Sequence, residues 1–402
     1  MSSSLTSPTN GKTGISPVFL LQDLLANQAS DPYCFGMRIT LDARMMGPEN
    51  TRGIGRYVEQ LVRAMLEVAP GNQYVLIVRQ PNHPFADHPS VETVVADIPW
   101  YGLREQREMT SVIAKTKPDV VHVPHWNVPT RVHNNLVITI HDLLLRHEPE
   151  SAKISTRGPL LRLAKRAGYR VVLSQALRHA NRILVPTHFV EQDVQTLYPA
   201  TKGKLVVTGE GMPMLDVASW NPSDPPFLLY VGSAYPHKGL ADVFDAWPKI
   251  SRDFPSLRFK VAGEMDVFMS RLKERTTHEP LANIAFLGRV SDDELVKLYR
   301  TASAFIFPSH FEGFGLPPLE AIAHGCPVIA ADAPATVEVL GKSAATIFRR
   351  GDVDAILGAV HQVLERRDEA HQKGLHAAPE LARQHDWKRT AERTLQAYLE
   401  TR

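Results

Sequence analysis

The chain has 402 residues, of which 44% are hydrophobic and 22% charged. At roughly 100–200 residues per domain this is too long for one ordinary core, so two domains are the default, and the composition excludes a disordered or fibrous chain. No run approaches the ~20 apolar residues of a membrane span. Cys34 and Cys326 are the only cysteines. This excludes a disulfide scaffold or a cysteine-bound metal and fits a reducing cytoplasm, where the protein is expected. A net charge of +2 by itself favours no partner, and no nucleic-acid partner is expected.

Residues 1–36 read as a flexible extension. Ser and Thr dominate its first half, a composition that cannot bury a core. From Met37 onward strands and helices alternate. Strands are predicted at 37–42, 74–78, 91–96, 120–123, 136–140, 182–185 and 204–208. Helices are predicted at 54–68, 103–115 and 159–180. This alternation means a parallel sheet covered on both faces, an α/β architecture. Residues 211–226 hold four prolines, and NPSDPP (221–226) has no periodicity. It reads as an interdomain linker. A second series follows, with strands at 227–231, 258–262, 284–287, 304–307, 328–331 and 345–348. Its helices are predicted at 240–250, 292–302, 319–324 and 353–366. Two doubly wound, Rossmann-like domains facing each other are expected, with the ligand cleft at the carboxyl ends of their strands. The predicted boundaries are 37–213 for the first domain, 214–226 for the linker and 227–385 for the second. A last helix, 386–398, follows them.

Charge is uneven along the chain. Residues 151–190 hold eight basic residues (Lys153, Arg157, Arg162, Lys165, Arg166, Arg170, Arg178 and Arg182) and no Asp or Glu. On the predicted helix, Arg162, Arg166 and Arg170 recur every four residues and share one face, with Lys165 beside them. Leu160, Leu161, Ala164, Ala167 and Val171 fall on the other side. A solvated basic face is one reading. Peripheral docking on an anionic membrane is the other.

Four motifs carry chemistry. The strongest is FPSHFEGFGLPPLEAIAHGCPV, 307–328. A strand ends, glycines follow, and a helix starts near Leu316 with Pro317 suited to its first turn. Free N–H groups at Gly315 and Leu316 make an anion cradle. Glu312 and Glu320 flank it, and each carboxylate can accept from two sugar hydroxyls. The second motif is LYVGSAYPHKG, 229–239, where Lys238 can reach a diphosphate from the opposite side. The third, TRGIGRY at 51–57, is half of a dinucleotide fingerprint, with Val58 where a third glycine would stand. It is either a plain loop-to-helix turn or a close backbone approach to a phosphate or sugar. In the fourth, VITIHD, His141 sits at the carboxyl end of a strand, on the ligand side. The sequence has no nucleophile elbow, no Walker A lysine and no dense acidic cluster for a metal.

Together these motifs resemble the retaining GT-B glycosyltransferases of family 4, over about 37–402. The order is GIGRY, HD, YVG…K, FLGRVSDDEL and then EGFG, with Glu312 and Glu320 forming the E-x7-E element. DAR (42–44), GIGRY and EGFGLPPLEAIAHG look like bacterial mannosyltransferases using GDP-mannose. The resemblance implies that Glu312 and the backbone at Phe314, Gly315 and Leu316 hold donor sugar and diphosphate. It gives Glu320 the ribose, Lys238 the diphosphate and the loop with Arg289 and Val290 the base. His141 would touch the donor sugar, and Gly53 and Gly55 would close over the phosphates. The last helix would cross back to the first domain. Many relatives carry Arg after YVG, where this chain has Ser233. The diphosphate then sees one cation fewer, or Arg289 compensates.

The implied reaction retains configuration, with front-face attack by a saccharide or lipid-linked acceptor, and needs neither metal nor cofactor. Lys238 and a helix start neutralise the leaving group, and Glu312 positions the sugar rather than acting as base. Two alternatives stay open: the same fold with UDP-glucose or dTDP-rhamnose as donor, and a non-catalytic nucleotide-sugar-binding subunit.

Overall fold

The computed structural model describes residues 36–47, 53–132, 135–148, 159–217, 220–278 and 281–401. Most of the N-terminal extension and residues 51 and 52 of the TRGIGRY motif lie outside them.

The first half forms a seven-stranded parallel sheet, ordered β3-β2-β1-β4-β5-β6-β7. Its strands are β1 (Arg38–Asp42), β2 (Gln73–Val78), β3 (Val91–Val95), β4 (Val120–Val123), β5 (Leu136–Thr139), β6 (Arg182–Val185) and β7 (Leu205–Val207). Its helices are α1 (Ile54–Val68), α2 (Leu103–Lys115), α3 (Leu144–His147), α4 (Pro159–His179) and α5 (His188–Leu197).

The second half forms a six-stranded parallel sheet, ordered β10-β9-β8-β11-β12-β13. Its strands are β8 (Phe227–Val231), β9 (Arg258–Ala262), β10 (Ile284–Gly288), β11 (Ala304–Phe307), β12 (Val328–Ala331) and β13 (Thr346–Phe348). The helices are α6 (Leu240–Asp253), α7 (Val267–His278), α8 (Asp292–Thr301), α9 (Leu316–Ala323), α10 (Pro334–Leu340), α11 (Val353–Glu365), α12 (Arg367–Gln384) and α13 (Trp387–Leu399). This is the expected doubly wound α/β pair. Each sheet has one point where strand order reverses, β1/β4 in the first and β8/β11 in the second. Crevices for ligands open outside the carboxyl ends of the strands at such points.

Central strands such as β4, β8, β11 and β12 are buried along their whole length. β8, β11 and β12 read as continuous apolar runs, as a sheet covered on both faces requires, and β4 is apolar but for the buried His122. The pattern located them well. It missed α5, α7, α10 and α12, whose sequences mix polar and small residues. α9 begins at Leu316, where the glycine-rich motif places a helix start and three residues ahead of the periodic stretch 319–324; Pro317 and Pro318 sit in its first turn, where the missing N–H groups cost little.

The linker is tied to the second half. Trp220 Nε1 donates to Ala302 O at 2.9 Å, and the main-chain N–H groups of Asn221 and Ser223 donate to Arg300 and Thr301 carbonyls. The chain crosses between halves twice at one place. Met212 N donates to His385 O at 2.9 Å, and a Cβ on Gly211 would fall 2.3 Å from the Trp387 ring. Beyond that crossing, α13 returns to the first half. Ala391, Leu395 and Tyr398 join the core of β1, β2 and α1, and the Tyr398 hydroxyl lies 2.6 Å from His122 Nδ1.

Among the described residues no helix is long and apolar enough to cross a membrane. On α4, Lys165, Arg166 and Arg170 are exposed, as are Ala167 and Val171. The apolar side expected of this helix is therefore not covered by protein there. It turns inward only from Leu173, through Ala176 and Leu177. Lys153 and Arg157, and the side chains of Arg162, Leu160, Leu161 and Ala164, lie outside the described residues.

Candidate active site

The second sheet builds its reversal point from main chain and a few charges. β8 ends at Val231, and a short turn, Pro236–Lys238, leads to Gly239 at φ 64°. A Cβ on Gly239 would sit 2.0 Å from Pro308 O, so only glycine lets this turn pack against the end of β11. That packing delivers Lys238 beside the loop after β11. Its Nζ donates to both Glu312 oxygens, at 2.8 and 3.0 Å. Two residues that the sequence assigned to separate ligand groups, diphosphate and sugar, are here paired with each other.

Glu320 lies one turn into α9. Its Oε2 accepts from the Tyr299 hydroxyl at 3.1 Å. Burial and the Glu320 charge hold that phenol well above its usual range, so it remains a donor. Arg56 Nη1 stands 3.3 Å from Glu320 Oε1 and 3.8 Å from Asp292 Oδ1. Arg56 belongs to α1 in the first half, so the pair spans the cleft. Arg56 is the arginine of GIGRY, and nothing in the sequence links positions 56, 299 and 320.

Gly315 caps α9 at φ 96°, a left-handed position suited to glycine, and Leu316 opens the helix. Pro317 and Pro318 have no N–H, so the cradle rests on few donors. The Phe314 ring is buried edge-on to His385, 5.2 Å between centroids. Its contribution to a ligand can only be main chain.

The first half contributes His141, two residues past β5. Nε2 lies 3.2 Å from Pro124 O, Nδ1 lies 3.4 Å from Glu210 Oε1, and the Tyr57 ring stands edge-on at 4.7 Å. A carbonyl only accepts, so Nε2 donates a hydrogen to Pro124 O. Asp142 beside it accepts from Leu144 N at 2.9 Å, and burial pushes its carboxyl upward. Gly313 closes the contact between halves, because a Cβ there would fall 1.8 Å from His141 O. Thr187 Oγ1 donates to Gly313 O at 2.9 Å. Glu338 on α10 accepts from the N–H groups of His188 and Phe189 at 2.7 and 2.8 Å, filling the N-terminus of α5. Glu210, Thr187 and Glu338 were not singled out from sequence, since each matters only through a partner on another element.

The remaining predicted residues are placed as follows. Gly53 caps α1 at φ 61° with open space around it, and Gly55 is buried in the first turn. The Ser233 carbonyl accepts from the Tyr230 hydroxyl at 2.6 Å. Arg289 is exposed after β10, two strands from β8 or about 10 Å at the usual strand spacing. Val290 packs on the second-half core. Lys238, Glu312, Gly313 and His141 are thus brought together, and Glu320 joins Arg56. Among the described residues no group of three or more His, Cys, Asp or Glu could hold a metal ion.

Two family models match the two halves in register with this geometry. Glycosyltransferase Family 4 covers residues 51–212, and Glycosyl transferases group 1 covers residues 216–378. The chain is a GT-B glycosyltransferase. Its curated relatives include glycogen synthase of Mycobacterium tuberculosis, 25% identical over 90% of this chain and 94% of that one. O-antigen chain mannosyltransferase B of Escherichia coli is 27% identical over 74% of this chain and 78% of that one. Among solved structures, sucrose-phosphate synthase from Thermosynechococcus elongatus superposes with a TM-score of 0.72 at 20% identity, covering 90% of this chain and 98% of that one.

The site of this glycosyltransferase can do three things chemically. The Lys238 ammonium and the start of α9 face one crevice and can neutralise a departing anion. Glu312 and Glu320 can accept from hydroxyls. His141, held by Pro124, presents a fixed ring on the opposite wall.

Proposed function

We propose that this enzyme transfers mannose from GDP-mannose to a saccharide or lipid-linked acceptor with retention of configuration. The observation that carries the reading is the Lys238–Glu312 pair at the β8/β11 reversal, a built-in cation beside a hydroxyl-accepting carboxylate. The mannosyltransferase relatives favour mannose. In this reading the diphosphate shares Lys238 with Glu312 and meets the N–H groups at Gly315 and Leu316. Glu312 takes sugar hydroxyls, Glu320 takes the ribose, and His141 touches the sugar from the other wall. Gly53 and Gly55 approach the phosphates, and Ser233 and Val290 line the nucleotide.

The acceptor attacks on the face the diphosphate leaves, and the departing phosphate takes its proton. Glu312, already neutralised by Lys238, positions rather than attacks. With a cation supplied by the chain we infer that no metal or cofactor is required, so turnover should persist in excess EDTA. Lost activity restored by Mg²⁺ would overturn that.

A hexose other than mannose is the second reading, favoured by the glycogen synthase relative, which spans more of the chain. Thermal-shift screening with GDP, UDP, ADP and dTDP separates the two. A ligand that binds only the folded state raises stability by mass action. GDP should give the largest shift. A larger shift with UDP or dTDP would replace the donor.

The exposed Lys165, Arg166 and Arg170 support peripheral contact with an anionic membrane on its cytoplasmic face, at ~1 kcal/mol per basic residue. Co-sedimentation with anionic vesicles should weaken when all three become Gln. Equal binding to neutral vesicles would sink the idea.

A further inference from the structure

Arg56 is the third residue of α1, and its side chain leaves the first half for the second. Tyr57, Val58 and Leu61 behind it are buried in the first-half core, so the backbone at Arg56 is fixed. On the far side Leu319, Ala321 and Ile322 fix α9 in the same way. Between these anchored helices Arg56 Nη1 stands 3.3 Å from Glu320 Oε1 and 3.8 Å from Asp292 Oδ1. We propose that Arg56 is a phosphate-reading switch, which holds Glu320 until a nucleotide displaces it and then turns to the diphosphate. The inference rests on the proposed donor site, where Glu320 takes the ribose, but not on which base the nucleotide carries.

Glu320 is buried and engaged at both oxygens. Oε2 accepts from the Tyr299 hydroxyl at 3.1 Å, and Oε1 faces Arg56. Tyr299 is itself buried in the second-half core. The Arg56 side chain is 26% exposed, so of the two partners it is the one that can move aside. Asp292, at the start of α8, is an exposed second carboxylate that steadies the guanidinium without binding it firmly.

This arrangement treats nucleosides and nucleotides differently. A nucleoside brings only hydroxyls and must win Glu320 against a cation. Its apparent affinity is lowered by the share of molecules in which Arg56 blocks the carboxylate. A nucleoside diphosphate brings an anion to which the same guanidinium can transfer. The planar fork of arginine matches carboxylate and phosphate alike, through paired N–H donors.

The dimensions allow the transfer. Glu320 lies four residues beyond Leu316, the first residue of α9. At 1.5 Å per residue that is about 6 Å along the helix. The N–H groups at Gly315 and Leu316 are therefore about one helical turn from the guanidinium, within the swing of an arginine side chain. Lys238 is already shared with both Glu312 oxygens, at 2.8 and 3.0 Å, and Ser233 past the end of β8 brings no charge. A diphosphate carries several negative charges and gains from a second cation. Arg56 brings it from the opposite wall.

A plain bridge between the halves would, when lost, change the binding of nucleoside and nucleoside diphosphate in the same direction. A switch moves them in opposite directions. The test is isothermal titration of the full chain with guanosine and GDP, uridine and UDP, adenosine and ADP, and thymidine and dTDP. Wild type should bind one diphosphate far more tightly than its nucleoside. In Arg56→Gln that nucleoside should bind up to about fivefold more tightly, the scale of one partly exposed ion pair. The diphosphate should bind about fivefold or more weakly, the loss of a charged hydrogen bond less the link that no longer has to be broken. Arg56→Lys keeps the charge without the fork and should keep the wild-type preference with a smaller gap. Added salt gives a second measure on wild type alone. It screens the Arg56–Glu320 link, so nucleoside binding should strengthen while diphosphate binding weakens. An unchanged ratio of the two affinities in Arg56→Gln, or both moving together, overturns the proposal and leaves the donor site standing. Nucleoside binding that weakens with salt overturns it as well. No binding of any diphosphate to wild type would defeat the donor reading, and the switch with it.

Discussion

The two strand-end edges that face the cleft solve opposite problems. On the second sheet, Gly239, Gly263 and Gly313 each lie where a Cβ would fall within about 2 Å of a backbone carbonyl, and few side chains project. That edge is built so that main chain comes close, to neighbouring loops and to a ligand. On the first sheet, the edge is filled by bulky rings held by a buried Asp42–Arg44–Glu105 network. A phosphate is bound well by close N–H groups and one cation. Braced side chains instead make an edge that keeps its shape.

Five variants break or sharpen this contrast. Glu105→Ala would leave Arg44 paired with Asp42 alone and remove the acceptor shared by Tyr101 N and Asn127 Nδ2, freeing the two loops they belong to. Breaking a buried pair costs about 3–5 kcal/mol, so chemical denaturation should show the largest loss here. An unchanged midpoint would mean the network is not holding the edge. Gly313→Ala forces the halves apart at His141. A misplacement of about 1 Å costs roughly 100-fold in rate, so kcat/KM should collapse while the second-half core still melts normally. Wild-type kinetics would show that the His141–Gly313 contact is not part of the reacting state. Lys238→Ala removes a charged hydrogen bond of about 1.5–3 kcal/mol. Nucleoside diphosphate affinity should drop about tenfold or more, and an unaltered Kd would remove Lys238 from the site.

Arg56→Gln breaks the link between the halves at Glu320. Glu320 is buried but Arg56 is only partly withdrawn from water and stands 3.3 Å away, so the effect is about 1 kcal/mol. Small-angle scattering should show a slightly more open ligand-free enzyme, most clearly at low salt. Identical curves would show that the link does not hold the cleft. The smallest effect is at His310, whose Nε2 lies 2.6 Å from Asp242. The Asp242 hydrogen bond raises this imidazole above its ordinary value, against the opposing effect of burial. Its stabilisation is present below about pH 6.5 and fades as pH rises through the raised value. Asp242→Asn should therefore cost stability at about pH 6 and nothing at about pH 9. A pH-independent difference would refute the assignment.

Much of this enzyme was written in local sequence. Parallel central strands are buried on both faces, so β8, β11 and β12 appear as unbroken apolar runs. The donor-side motifs are legible for the same local reason. Gly315, Pro317, Glu312 and Glu320 lie within nine residues, and a strand–glycine–helix turn has one way to fold. The tertiary structure alone decided the pairings. Lys238 lies 74 positions from Glu312, Arg56 reaches Glu320 across the cleft, and Glu105 joins Tyr101 to Asn127. Charged and aromatic side chains have no periodicity that names a partner. Their meeting depends on which strand ends the sheet order places side by side. DAR could be read as a motif, but its arginine became the hub of a buried network only when the β1/β4 reversal brought 98–105 and 124–127 around it.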